Sequence, residues 1–233
     1  MIGKKIIKFD SLDSTNTYIK QHSYTMNHTD IVWALEQTHG RGRYGNSWLS
    51  KSGNLYFSLL LKNNEYNNNI FKLHIKASIC IIDLLKEYGV EAIIKYPNDI
   101  VVGKQKICGI LVETQGYGKS TIVVLGVGIN VNQNKYVGLS DKATSMNLLK
   151  KKKYQLEDIL QEFIEKYNRN IKSEIYYKRY LEKSLIIGKN ISYNQIKYSI
   201  KSIKANGQLV LTNTTGEITV DYDKISFTHL YFE

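Results

Sequence analysis

The sequence predicts an α+β protein: a mixed β-sheet with helices packed on one face, followed by a small C-terminal all-β module. Three observations carry that expectation. Apolar runs of strand length, NLYFSLLL at 54–61 and TIVVLGVGIN at 121–130, are bounded by glycine and asparagine turn signals. A longer segment, IFKLHIKASICIIDLLKEY at 70–88, carries apolar residues at helical spacing and stops at Gly89, a favoured residue just past a helix end. From Ile186 onward short alternating strands take over, with hairpin signals at Asn206-Gly207 and Thr215-Gly216. The expected division is one domain over 1–185 and a second over 186–233.

The elements follow in order. Residues 4–9 read as a strand, and Asp13-Ser14-Thr15-Asn16 offers N-cap side chains to a helix running through Ile19. Ile31 to Leu35 is a strand leading into a glycine-rich loop, and the strand 54–61 closes on a polar loop, KNNEYNNN. After the helix come strands at 92–95, 100–102 and 106–114, with a turn at Gly103-Lys104. Gly116-Tyr117-Gly118 turns the chain into the strand 121–130. A lysine run at 150–153 reads as a solvated connection to two helices within 154–184.

Bulk composition narrows the function. A chain of 233 residues with 42% hydrophobic content builds a core, which excludes a disordered chain. Its net charge of +11 suits an anionic partner, although the lysines form no single stripe and their spread over every solvated face is the plainer explanation. Cys80 and Cys108 lie inside apolar runs and read as buried free thiols of a reducing compartment. No metal-ligand spacing appears among the Cys and His residues, and no signal peptide or membrane-spanning run is visible, so a cytoplasmic protein is expected.

Two phosphate-binding look-alikes fail on context. Gly40, Gly42 and Gly45 in EQTHGRGRYGNSW satisfy G-x-G-x-x-G, and Glu65 lies at a plausible distance. A dinucleotide site needs a helix directly after the third glycine, whereas turn residues and a strand follow here. Gly118-Lys119-Ser120 imitates the end of a Walker A loop, but Glu113 stands where its first glycine belongs.

The glycine-rich loop supports a different chemistry. Arg41 and Arg43 flanked by glycines can order around an anion, since guanidinium forks match carboxylate and phosphate oxygens. Pro97, the chain's one proline, places Asn98 and Asp99 at a sharp turn between strands. Lys106 begins an apolar strand, where a lysine calls for a partner, and Gly109 in mid-strand suggests close approach to the backbone. Gly126-Val127-Gly128-Ile129-Asn130 ends another apolar strand with two glycines and an amide.

In order, the blocks Asp13-Ser14-Thr15-Asn16, Glu36-Gln37 with Gly40-Arg41-Gly42-Arg43 and Trp48, Lys95-Tyr96-Pro97-Asn98-Asp99, Lys106 with Gly109-Ile110-Leu111, and Gly126 to Asn130 resemble those of the biotin–protein ligases. The resemblance is close over residues 6–135 and looser through the C-terminal module. It implies a class II synthetase-like catalytic domain and an SH3-like β-barrel. It further implies ATP and biotin as substrates, Mg²⁺ with the nucleotide, biotinyl-5′-AMP as intermediate, and a lysine of a biotin carboxyl carrier protein, from acetyl-CoA carboxylase or another biotin-dependent carboxylase, as acceptor.

Position by position, the resemblance assigns biotin contacts to Ser14, Thr15, Asn16, Gln37, Gly40, Arg41, Gly42, Arg43, Lys106 and Gly109. It assigns nucleotide contacts to Arg43, Trp48, Asn98, Lys106 and Asn130, and catalysis to Lys106, Arg41 and Arg43, with no protein metal ligand. Ser14 reads also as a plain N-cap, and Trp48 also as a core residue. Tyr96 stands where the family usually has Trp, and Tyr44 and Asn46 stand where further basic residues are usual, which bears on how tightly the adenylate is retained. Twelve residues precede Asp13, so no DNA-binding domain and no DNA partner are expected; monomer and homodimer both fit, and no membrane partner does. The alternatives are a lipoate–protein ligase or octanoyl transferase of the same architecture, and a non-enzymatic nucleic-acid-binding protein. The Asp-Ser-Thr-Asn block and the basic loop suit a ureido ring better than a fatty tail. The 18 tyrosines are dispersed rather than grouped as a stacking platform.

Overall fold

The computed structural model describes residues 1–62, 69–117, 120–136, 138–221 and 225. The centre of the asparagine-rich loop, the Gly118-Lys119 turn and the end of the C-terminal module lie outside the described residues.

The chain runs β1 (Ile6–Leu12), α1 (Thr15–His22), β2 (Ile31–Gln37), β3 (Leu55–Leu61), α2 (Phe71–Glu87), β4 (Ile93–Lys95), β5 (Asp99–Val102), β6 (Gln105–Tyr117) and β7 (Ser120–Ile129). It continues through α3 (Met146–Lys150), α4 (Leu156–Asn168) and α5 (Ser173–Lys183) to β8 (Asn190–Tyr193), β9 (Ile196–Ile203), β10 (Leu209–Asn213) and β11 (Gly216–Val220). The first seven strands form one mixed sheet in the order β1-β2-β3-β7-β6-β5-β4. β1 and β2 are parallel, as their crossover through α1 requires, and the other neighbours are antiparallel.

Strand alternation sorts the core into two layers. Leu55, Phe57, Leu59 and Leu61 of β3 join the larger cluster, against α2 and α4, whereas Leu60 joins Ile19, Val32 and Val124 under α1. Phe57 meets Phe163 of α4 at 4.9 Å between ring centroids, a buried pair worth roughly 0.5–1.5 kcal/mol beyond its area. The long helices thus occupy one face, as expected, while α1 lies across the other. The open part of that second face holds the site.

Helix α2 ends as its sequence predicts. Gly89 takes φ +70°, its N–H donates to Lys86 O at 2.9 Å, and the Val90 N–H donates to Leu85 O at 2.9 Å. Helix α3 is a five-residue element that the apolar pattern does not announce. Ser145 caps it by accepting the Leu148 N–H at 3.1 Å, and the exposed lysine run 150–153 begins on its last residue.

Among the described residues the C-terminal module is a four-stranded antiparallel meander in the order β11-β10-β9-β8. The β10–β11 turn is Thr214-Thr215, one residue earlier than the glycine signal, since Asn213 pairs with Gly216 and its Oδ1 accepts the Thr215 N–H. The meander touches the main sheet where it matters for the site. Tyr96 donates its hydroxyl to Gly207 O, and the Tyr180 hydroxyl donates to Pro97 O at 2.9 Å, so the cis Tyr96-Pro97 turn is held from two sides.

Candidate active site

The site face is floored with small residues. Gly109 of β6 pairs with Gly128 of β7, and Gly126 and Ser58 lie on the same face. A methyl group at Gly128 would lie 2.6 Å from Trp48 Nε1, and one at Gly126 would lie 2.2 Å from Asn16 Oδ1. These glycines therefore make room for two side chains that come in from outside the sheet.

The arginine–glycine loop is an ordered hairpin. The Gly42 N–H donates to Asn46 O at 2.7 Å and the Trp48 N–H donates to Gly40 O at 2.8 Å. The tip reverses through Tyr44 at φ 55° and Gly45 at φ 76°, left-handed conformations that suit the glycine and strain the tyrosine. A Cβ on Gly40 would meet Ser50 Oγ at 2.3 Å, so that glycine closes the hairpin itself.

Of the residues singled out in sequence, Ser14, Thr15, Asn16, Gln37, Arg41, Gly42, Arg43, Trp48, Asn98, Lys106 and Gly109 line one pocket, with about 50 Å³ of free space among them. That holds a few waters, short of the roughly 300–1,000 Å³ of a ligand pocket. Gly40 lines an adjoining groove formed by the hairpin and its flanking residues. Asn130 lines a neighbouring cavity and donates its amide hydrogens to Lys106 O at 3.2 Å and Thr144 O at 2.9 Å. Ser14 does both things weighed for it: it accepts the Thr17 N–H at 3.5 Å as N-cap and lines the pocket.

The pocket has a polar wall and a cationic wall. On the polar side the Thr15 N–H donates to Gln37 Oε1 at 2.9 Å, Gln37 donates to Ser50 Oγ at 2.8 Å, and Ser58 donates to Asn16 Oδ1 at 2.6 Å. On the cationic side Lys106 Nζ lies 2.7 Å from Asp99 Oδ1 and 4.6 Å from the Trp48 ring centre. Arg43 donates to Asn98 Oδ1 at 3.3 Å and packs on Tyr44, with Cζ 4.7 Å from the ring centre. Arg41 pairs with Glu113 of β6 at 3.1 Å.

Several of these partners escape sequence reasoning. Burial alone would push the Glu113 carboxyl up, but hydrogen bonds from Asn16 and Lys20 and the charges of Lys20 and Arg41 hold it below the usual carboxylate range. Burial lowers the Lys95 ammonium, with Asp99 opposing and Lys106 adding to the shift. A second cavity of about 220 Å³ beyond Trp48 is bounded by Tyr136, Leu139, Lys142 and Ala143 as well as Lys106 and Asn130. Its lining has an apolar and cationic character that no local motif signals.

Fold and pocket together define an α+β domain with a pocket whose cationic side chains come from separate segments. The chain belongs to the Biotin/lipoate A/B protein ligase family, whose profile matches residues 8–130. It is 32% identical over 173 residues to the bifunctional ligase/repressor BirA of Bacillus subtilis, covering 70% of this chain and 53% of that protein. It is 31% identical over 123 residues to the biotin–[acetyl-CoA-carboxylase] ligase of Paracoccus denitrificans, 51% of either chain. The chain thus spans about half the length of the curated relatives it matches. The biotin protein ligase from Aquifex aeolicus, solved in complex with biotin and ATP, shares the fold with a TM-score of 0.81 at 24% identity, over 96% of this chain and 98% of that one.

Proposed function

We propose that this chain is an ATP-dependent biotin–protein ligase that activates biotin to biotinyl-5′-AMP and transfers it to a lysine of a biotin carboxyl carrier protein, with residues 1–185 as catalytic domain and 186–233 as a small β-domain. The observation that carries this reading is the pocket's two walls: uncharged donors and acceptors on one side, Lys106, Arg43 and Arg41 on the other. A ureido ring has both donors and an acceptor to satisfy, whereas the dithiolane or octanoyl tail handled elsewhere in such a family has none.

In the first step a biotin carboxylate oxygen attacks the α-phosphorus of ATP, the bond to the bridging oxygen breaks, and pyrophosphate leaves. Two anions must meet, so the barrier falls when cations stand at the meeting point. Lys106 is the candidate there, with Arg43 and Arg41 on the hairpin closing over the product. The buried Trp48 Nε1–H, which has no hydrogen-bond partner among the described residues, and the adjoining 220 Å³ cavity suit the nucleotide base. In the second step the acceptor's lysine nitrogen attacks the acyl carbon, loses a proton, and AMP departs.

No group of three or more His, Cys, Asp or Glu among the described residues is arranged to hold a metal. Mg²⁺ fits here as a companion of the triphosphate, near Asp99, the carboxylate that pairs with Lys106, and it would supply charge neutralisation on the phosphate oxygens. Among the described residues no helix is long and apolar enough to cross a membrane.

The deciding experiment is pyrophosphate–ATP exchange. Exchange that requires biotin and is not supported by lipoate or octanoate is expected. Equal exchange with lipoate would transfer the assignment to the lipoate branch of the family.

A further inference from the structure

Glu113 takes no part in the chemistry just described, yet it is tied to both walls of the pocket. It projects from β6 on the same face as Gly109, two pleats along. Its Oε1 accepts from Lys20 Nζ at 2.9 Å and from Arg41 Nη2 at 3.1 Å, and its Oε2 accepts from Asn16 Nδ2 at 2.8 Å. The carboxylate is largely buried, with 18% of its side chain exposed, and Lys20 is nearly as covered at 21%, while Arg41 on the hairpin is 48% exposed.

We infer that Glu113 is a positioning residue that orients the Asn16 amide and parks Arg41 beside the pocket, with Lys20 as the standing counter-charge that lets Arg41 leave. The energetics follow from the charge count. A buried carboxylate that loses its one cation is strongly destabilised, so a single Glu–Arg pair would lock the hairpin. Two cations on one carboxylate leave it neutralised when either departs. The half-exposed Arg41 is the one free to swing toward an incoming anion, and Lys20, anchored on α1, is the one that stays. The same carboxylate fixes Asn16 from the Nδ2 side while Ser58 fixes it from the Oδ1 side, so the amide over Gly126 has one orientation.

This inference rests on the biotin-ligase reading for its substrate, and its test separates the two. Trypsin cleavage at the Arg41–Gly42 bond is followed in the protein without ligand, and biotin-dependent exchange is measured alongside. Glu113→Gln frees Arg41, so cleavage accelerates by about fivefold, and KM for biotin rises by a similar factor with kcat little changed. Lys20→Met leaves Glu113 with Arg41 as its remaining cation, so cleavage slows about twofold or more while KM for biotin also rises. Opposite signs in the cleavage arm are what a merely structural role does not produce. Cleavage unchanged in Glu113→Gln, or accelerated alike in both variants, overturns the inference. Should Glu113→Gln not fold, Lys20→Met alone decides, and a cut at the wild-type rate or faster overturns it. Wild-type protein that shows no biotin-dependent exchange overturns the substrate reading, while the cleavage arm still decides the role of Glu113.

Discussion

Lys106 Nζ lies 2.7 Å from Asp99 Oδ1, joining the start of β6 to the turn that follows Pro97. The two side chains face each other across paired strands, and Asp99 lies opposite Gly109 in the register. The same ammonium lies 4.6 Å from the Trp48 ring centre, and Lys106 lines the pocket.

Replacing Lys106 by Ala is expected to lower biotin-dependent pyrophosphate exchange by about 10²–10³-fold, the usual consequence of deleting a charge placed where anions meet. The fold should survive. Lys106 is 31% exposed and Asp99 21%, and a pair of that kind contributes on the order of 1 kcal/mol. Melting temperature and exchange rate measured on one preparation separate the two effects. A large loss of stability would make Lys106 a structural residue instead.

The glycine floor yields a contrast between two neighbouring substitutions. A methyl at Gly128 meets the Trp48 ring, which hangs on the hairpin and can swing away. A methyl at Gly126 meets Asn16 Oδ1, which Ser58 and Glu113 hold in place. Gly126→Ala is therefore expected to destabilise the fold at the upper end of the roughly 1–3 kcal/mol typical of overpacking, and Gly128→Ala at the lower end. Gly128→Ala should instead shift tryptophan fluorescence and raise KM for ATP. Urea titration and exchange kinetics on both variants check this ordering.

What the sequence makes legible is whatever local chemistry announces. The apolar runs of β3 and β7, the helical period of α2 with Gly89 at its end, and the five ordered blocks that meet at the pocket all read directly from residue type. The features that escape are set by tertiary packing. Glu113 looks in sequence like a residue that merely spoils a Walker motif, because its partners Asn16 and Arg41 lie 97 and 72 positions away. Asn130 reads in sequence as a nucleotide contact, but nothing local announces that its amide donates to the Lys106 and Thr144 carbonyls. The β8–β9 turn uses Asn194 and Gln195 at φ 50° and 66° with no glycine to mark it, and α1 crosses to the second face because the parallel pairing of β1 and β2 demands a crossover.

His74 gives a pH dependence whose sign follows from burial. It lies on α2, and Nδ1 has no hydrogen-bond partner among the described residues. Burial, with the charge of Arg43 adding to it, lowers the imidazole from 6.5 to about 3. Well above pH 6.5 the ring is neutral in both folded and unfolded chains, so it contributes no slope. Between pH 6.5 and about 3 the unfolded chain takes up a proton that the folded chain refuses, and stability falls with acid. The slope from this one group approaches about 1.4 kcal/mol per pH unit in the middle of that window. His74→Leu keeps an apolar side chain of similar bulk and removes the titration. Urea unfolding of wild type and His74→Leu at a series of pH values should therefore give curves parallel well above pH 6.5, with the wild type dropping away from the variant as pH falls through 6.5. Curves that stay parallel down to pH 4 would mean the imidazole charges freely in the folded protein, and that α2 opens enough there to let water reach it.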